Sequence, residues 1–148
     1  MTELDRVRDL VRRDHGLAVV VTQRSDGSPQ TSVVNSGVLN HPVTGEPVVG
    51  FVIRGDTLKR QNLRERPRTT VVFRAGWEWV AVEGDAELAG PDDALEGLDP
   101  ASVPGLLRDV FTAAGGAHDD WDEYDRVMAA ERRLAVLVRP ARVYPTPG

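Results

Sequence analysis

A mainly β fold, a small antiparallel barrel carrying short helices, is what this chain predicts. Three observations point there. Apolar, Val-rich runs of strand length recur from Leu17 to Tyr144. Tight-turn chemistry at Asp26-Gly27 and across Asn40–Glu46 joins neighbouring runs. Helical periodicity appears only in short stretches between them. Many strands joined by turns close most simply into a barrel, which leaves few open edges.

The elements follow in order. Thr2 is placed to cap a helix whose apolar residues Leu4, Val7, Leu10 and Val11 repeat at helical spacing, with Gly16 as its stop. Leu17 to Thr22 is a β-branched run, and the Asp26-Gly27 turn returns the chain as a second strand from Gln30 to Leu39. Pro47 to Ile53 reads as a third strand. A short helix, capped by Asp56 or Thr57, runs until Pro67 forbids its continuation. Thr69 to Arg74 is a fourth strand and Trp77 to Leu88 a fifth, with Gly84 marking a bulge. The pattern then turns helical and acidic. Leu106, Leu107, Val110 and Phe111 share a face in one segment, Trp121, Tyr124, Val127 and Met128 in another. Leu134 to Tyr144 is the last strand, where Pro140 implies an edge or bulge. The closing Pro145-Thr146-Pro147-Gly148 should be loose.

At 148 residues the chain is expected to form one domain, 1–148, with a helical insert at about 91–131. The absence of cysteine excludes disulfides, thiolate metal sites and a Cys nucleophile. No apolar run is long enough for a membrane helix, and the acidic, periodic N-terminus does not read as a signal peptide. A cytoplasmic protein is the expectation. A net charge of −5 argues against nucleic-acid binding, which needs a broad basic face. His15, His41 and His118 show no metal-ligand spacing, so no metal site is expected.

The most informative stretch is Arg54 to Arg74. It carries seven basic residues (Arg54, Lys59, Arg60, Arg64, Arg66, Arg68, Arg74) against Asp56 and Glu65, a local charge of 7 − 2 = +5 within a chain of −5. Lys59 is the single lysine. A basic island that follows a buried strand and opens a helix is a place for an anion, because helix N-termini expose unpaired N–H groups. The alternative is a solvated helix face. By contrast, ten acids and one arginine, Arg108, lie between Asp92 and Asp125, which reads as solvated surface.

The segments also carry a resemblance. Leu17–Thr22 followed by Asp26-Gly27-Ser28-Pro29-Gln30, Thr57–Arg64 with Pro67-Arg68, Val80–Leu88, Asp120–Tyr124, Glu131-Arg132-Arg133 and Arg139–Tyr144 together resemble the pyridoxamine-phosphate-oxidase-like split β-barrel superfamily. Within it they are most similar to the actinobacterial branch of deazaflavin (F420)-dependent oxidoreductases. The resemblance implies a six-stranded antiparallel split barrel of the FMN-binding kind. It implies a homodimer with the cofactor at the subunit interface, and an enzyme that passes a hydride between reduced F420 and a small organic acceptor. An FMN-binding oxidase or reductase of the same superfamily, or a non-catalytic F420 carrier, are the alternatives.

Carried onto this chain, Arg54, Thr57 and Lys59 would hold the cofactor phosphate, and Asn62 would anchor the segment. Arg60, with Arg64 and Arg66, would meet the coenzyme's polyanionic tail, which FMN lacks. The ring system would lie along Thr31–Asn35, with Ser32 and Val34 in contact, and Trp79 would stack on it from the partner subunit. No general acid stands out. Tyr124 and Glu83 are the available donors, and Asp56 would repel a phosphate if it faced one.

Overall fold

In the computed structural model, which describes residues 2–145, six strands close into one antiparallel barrel. The strands are β1 (Leu17–Gln23), β2 (Pro29–Asn40), β3 (Pro47–Ile53), β4 (Arg68–Ala75), β5 (Glu78–Ala89) and β6 (Leu134–Tyr144). Round the barrel they run β1-β2-β3-β6-β5-β4, and β4 pairs back onto β1. The helices are α1 (Glu3–Arg13), α2 (Leu58–Glu65), α3 (Val103–Ala113) and α4 (Trp121–Ala130), with one 3-10 turn at Pro100–Ser102. The final expected loose residues, 146–148, lie outside the described residues.

Thr2 caps α1 as its sequence predicts: its hydroxyl accepts from the Asp5 N–H while the Asp5 carboxylate accepts from the Thr2 N–H. Val7, Leu10 and Val11 then cover one end of the barrel, whose interior is filled by Ala18, Val20, Phe51, Val71, Phe73, Val80, Val82 and Val136. A second apolar layer lies outside. Leu106, Leu107 and Val110 of α3 and Tyr124 of α4 pack on Val48, Ala89, Ala135 and Leu137. This explains why Leu134–Val138 is continuously apolar: alternate residues face the barrel interior and the helical insert, so both faces are buried.

Two strands outrun β3. Pro29–Asn35 of β2 pair with β1, and only Ser36–Asn40 pair with β3. On the other side, β6 pairs with β3 from Leu134 to Val138 and continues to Tyr144 against β5 alone. The barrel is therefore split beside β3. The insert closes tightly over β2, where the Gly37 Cα lies so near the end of α3 that a Cβ would stand 2.1 Å from the Ala113 carbonyl oxygen.

Two local expectations are corrected, and the bulge expected at Gly84 and Pro140 is found there. Trp77 lies in the turn between β4 and β5, not in the strand, and is 97% exposed. The bulge places its extra residue, Ala141, on β6: Glu83 pairs with Arg142 but Gly84 with Pro140. Thr57 holds the cap position of α2, yet neither it nor Asp56 caps the helix. The Thr57 hydroxyl instead donates to the Arg54 carbonyl at 3.0 Å.

At Gly84 a Cβ would lie 1.8 Å from the Arg139 carbonyl oxygen, a backbone atom that cannot swing away. Gly84→Ala should therefore lower stability by about 1–3 kcal/mol, the cost of overpacking a closed interior. Urea denaturation followed by tryptophan fluorescence would show it. An unchanged midpoint would mean that the bulge relaxes.

Candidate functional site

The split beside β3 opens a cavity of about 390 Å³. It lies between the unpaired edge of β2 (Val33, Val34, Asn35), the end of β3 and the following Arg54, the start of α2 (Thr57, Lys59), and the insert. Its charged lining is Arg54, Lys59 and Arg133, all basic. Arg54 lies 3.4 Å from Asp56 and 3.9 Å from Glu131, and Arg133 lies 3.1 Å from the same Glu131. Among the described residues Lys59 has no carboxylate within salt-bridge reach. Its ammonium donates to the Ser32 hydroxyl at 3.0 Å. Burial first, and repulsion from Arg133 second, hold its pKa below the ordinary 10.5.

The sequence-predicted residues divide cleanly. Arg54, Thr57, Lys59 and Val34 line the cavity, and Ser32 touches it through Lys59. Asn62 is buried and donates to Thr22 Oγ1 at 3.1 Å and Gln30 Oε1 at 3.3 Å, which fastens α2 to the β1–β2 hairpin. Arg60 is not free. It binds Asp93 at 2.9 Å and the Gly55 carbonyl at 3.0 Å. Arg64 binds the other oxygen of Asp93 at 2.6 Å and the Asp92 carbonyl at 2.7 Å, while Arg66 is spent on Gln23, Glu65 and Asn62. Arg60 and Arg64 thus clamp the loop after β5 against α2, and Arg66 ties the end of α2 to the end of β1. Asp56 is exposed, bound to Arg54 and outside the cavity lining, so it does not oppose an anion there. Trp79 stands on the outer barrel surface, edge-on to Tyr144 at 6.2 Å.

The acidic insert is less solvated than its composition suggests. Asp92 pairs with Arg132, Asp93 with Arg60 and Arg64, and Asp125 with Arg108. Residues not singled out by the sequence complete the cavity: Phe111, Met128 and Arg133. Arg133 had one signal, its place beside Arg132 just before an apolar strand. Tyr124, in contrast, is tied: its hydroxyl donates to the Leu107 carbonyl at 3.1 Å, and burial raises its pKa. Glu83 lies on β5 outside the lining. His41 is buried and structural. Its Nδ1 accepts from the Val43 and Thr44 N–H groups, which leaves Nε2 to donate to Glu87 at 3.1 Å. Among the described residues no group of His, Cys, Asp and Glu could hold a metal ion, and no helix is long and apolar enough to cross a membrane.

No known protein-family model matches the chain. Solved structures do. A conserved hypothetical protein, Rv2991 of Mycobacterium tuberculosis, aligns over 97% of this chain and 82% of its own at 21% identity and a TM-score of 0.67. A pyridoxamine 5'-phosphate oxidase-related, FMN-binding protein of Nostoc punctiforme aligns over 95% and 78%, at 16% identity and a TM-score of 0.62. An F420 reductase aligns over 93% and 94%, at 16% identity and a TM-score of 0.61. At these identities the likeness establishes the fold alone: the chain has the six-stranded split β-barrel that these structures share.

The cavity makes a pH prediction. An anion binds the charged ammonium, so its affinity is full below the lowered pKa of Lys59 and falls as pH rises through it. Glycerol 3-phosphate is already dianionic above roughly pH 6, so its own ionisation does not confuse the upper range. Its calorimetric affinity should weaken from neutral pH toward lysine's ordinary 10.5. Lys59→Gln should flatten the profile. A wild-type profile that is already flat removes Lys59 from the anion site.

Proposed function

We propose that the protein is an oxidoreductase that binds F420 in the split beside β3 and acts as a homodimer with that site at the subunit interface. The observation that carries this reading is Lys59, a half-buried cation with no carboxylate partner, set at the start of an uncapped helix in a cavity whose charged lining is wholly basic. Such a place favours a phosphate. The residues present fit the coenzyme: Lys59, Arg54 and Arg133 for its phosphate, the N–H groups at the start of α2 beside them, and the open edge of β2 for the ring carbonyls. The full-length match to an F420 reductase is consistent with the assignment.

When bound and reduced, the coenzyme supplies a hydride. The chain supplies binding, orientation and shelter from water. Lys59, fixed by Ser32, sets the anionic end, and Val33 and Val34 offer an apolar strand surface to the rings. Phe111 and Met128 of the insert close the far side. Tyr124 braces that side without donating into it.

The homodimer rests on the outer barrel face. Val33, Val19, Val72, Ala81 and Tyr144 form one cross-strand row over β2, β1, β4, β5 and β6. Leu17, Val19, Val33 and Trp79 leave large apolar area open on it, Val33 being 64% exposed. Exposed apolar side chains gathered on one barrel face are the kind that mark an interaction surface. Val33 also lines the cavity, so a second copy seated there would cover its mouth.

FMN is the second reading, and one observation favours it. Arg60, Arg64 and Arg66, the positive charge that would greet a polyanionic tail, are already paired inside the fold. Equilibrium binding of the apo-protein to F420 and to FMN, read by tryptophan fluorescence, separates the two. Preference for F420 is expected, preference for FMN selects the second reading, and binding of neither overturns both. Lys59→Ala should weaken binding by about 1.5–3 kcal/mol, the scale of a charged hydrogen bond. Independently, Val33→Asp should convert a dimer to a folded monomer in light scattering; a variant that stays dimeric moves the interface elsewhere.

A further inference from the structure

A second cavity, of about 510 Å³, lies under the insert and is of the size that takes small organic ligands. Leu95, Leu98, Val103, Leu107 and Met128 form an apolar part of its lining. The carboxylates on its rim are all neutralised from outside. Asp92 is held by Arg132, Asp93 by Arg60 and Arg64, and Asp125 by Arg108 at 2.9 and 2.5 Å. The one basic residue in its lining is Arg133.

Met128 and Arg133 line both cavities. The two spaces therefore share a wall made of a thioether, which is flexible, and a guanidinium, which is permanently charged. On the cofactor side Arg133 faces Lys59, and Glu131 holds its Nε edge at 3.1 Å, which leaves the Nη1 side of the guanidinium without a partner among the described residues. A ligand with an apolar body and one carboxylate matches this arrangement: body among the leucines, carboxylate on the remaining terminal edge of Arg133. A cation would meet Arg133 and find no free carboxylate among the described lining residues.

We propose that the cavity under the insert is the acceptor site, and that it takes apolar monocarboxylic acids carrying an activated C=C bond, whose carboxylate binds Arg133 at the boundary with the cofactor cavity. One carbon of that bond would receive the hydride of the reduced coenzyme and the other a proton from solvent, and the C=C bond would become a single bond. The assignment as acceptor site rests on the proposed redox function, whereas the binding of the acid does not. A hydride donor and its acceptor must touch, and this is the cavity that shares walls with the proposed coenzyme site.

Decanoate and decanol serve as probes, titrated calorimetrically into the cofactor-free protein. Ala129, exposed on α4 and lining this cavity alone, can be enlarged without disturbing the core. Decanoate should bind saturably, Ala129→Trp should abolish binding, and Arg133→Met should weaken decanoate about tenfold or more while decanol is little changed. Absence of saturable binding, or binding that survives Ala129→Trp, overturns the site. Equal loss of decanoate and decanol in Arg133→Met overturns the carboxylate contact. F420 binding by Ala129→Trp is measured in parallel and should equal wild type. Decanoate binding without F420 binding would sink the redox reading and leave the acid site standing; F420 binding without decanoate binding would do the reverse.

Discussion

The length of β2 governs this molecule. It has twelve residues and its neighbour β3 has seven. A strand edge is a row of hydrogen-bonding groups that must be paired, solvated or covered. With β3 ending early, Pro29–Asn35 have β1 on one side and no strand on the other. The chain covers part of that edge with α2, whose Asn62 reaches Gln30 and Thr22 and whose Lys59 reaches Ser32. What α2 does not cover becomes the cavity. Both the shape of the site and its composition follow from this one mismatch: the wall is strand backbone, and the rim is the basic start of a helix.

Holding α2 in place requires more than its own eight residues, since a helix so short has little stability alone. Two interactions supply the hold. Leu63 enters the barrel core, and Arg60 and Arg64 grip both oxygens of Asp93, which is nearly buried. A carboxylate so placed needs its partners, because one left alone in that setting would be an unpaired buried charge. The insert is braced separately, through Phe111, Trp121, Tyr124 and His118 stacked edge to face and Arg108 lying 5.3 Å over Trp121. Helix, loop and insert therefore share one charged hub and one aromatic hub, with Arg133 beside both cavities.

Most of the fold was legible in the sequence because its signals are local. Alternation, turn residues and the Thr2–Asp5 cap act within a few positions of each other, and the strands they predict are those observed. The site was legible in part. Arg54 and Lys59, which line the cavity, stood out because charge clustered beside a strand end is visible along the chain, whereas Thr57 came only with the resemblance. The fate of Arg60 and Arg64 was not, since their partner Asp93 is about thirty positions away and sits in a segment whose charge, read alone, resembles solvated surface. Phe111 and Met128 were hidden for the same reason: nothing in a helical face tells which strand edge it will approach. Residue chemistry is local, whereas pairing is not, and charge sums over a segment cannot distinguish a free cation from a spent one.

That distinction gives meaning to the single lysine among the 18 basic residues. Arginine stays protonated under any condition the fold survives, so an arginine in a half-buried place needs a carboxylate or a ring of acceptors. The arginines around this site have them: Arg54 and Arg133 share Glu131, and Arg60 and Arg64 share Asp93. Among the described residues Lys59 has only the Ser32 hydroxyl. A lysine tolerates this because it can release its proton as its pKa falls, and because its compact head and flexible stem let it approach one oxygen without the planar geometry of a guanidinium. Desolvation disfavours the charged form of Lys59 in the free protein, as its lowered pKa records. An arriving anion would complete its coordination and favour the charged state again. The cavity is thus built so that its least satisfied group in the free protein is the one best placed to be satisfied by a ligand.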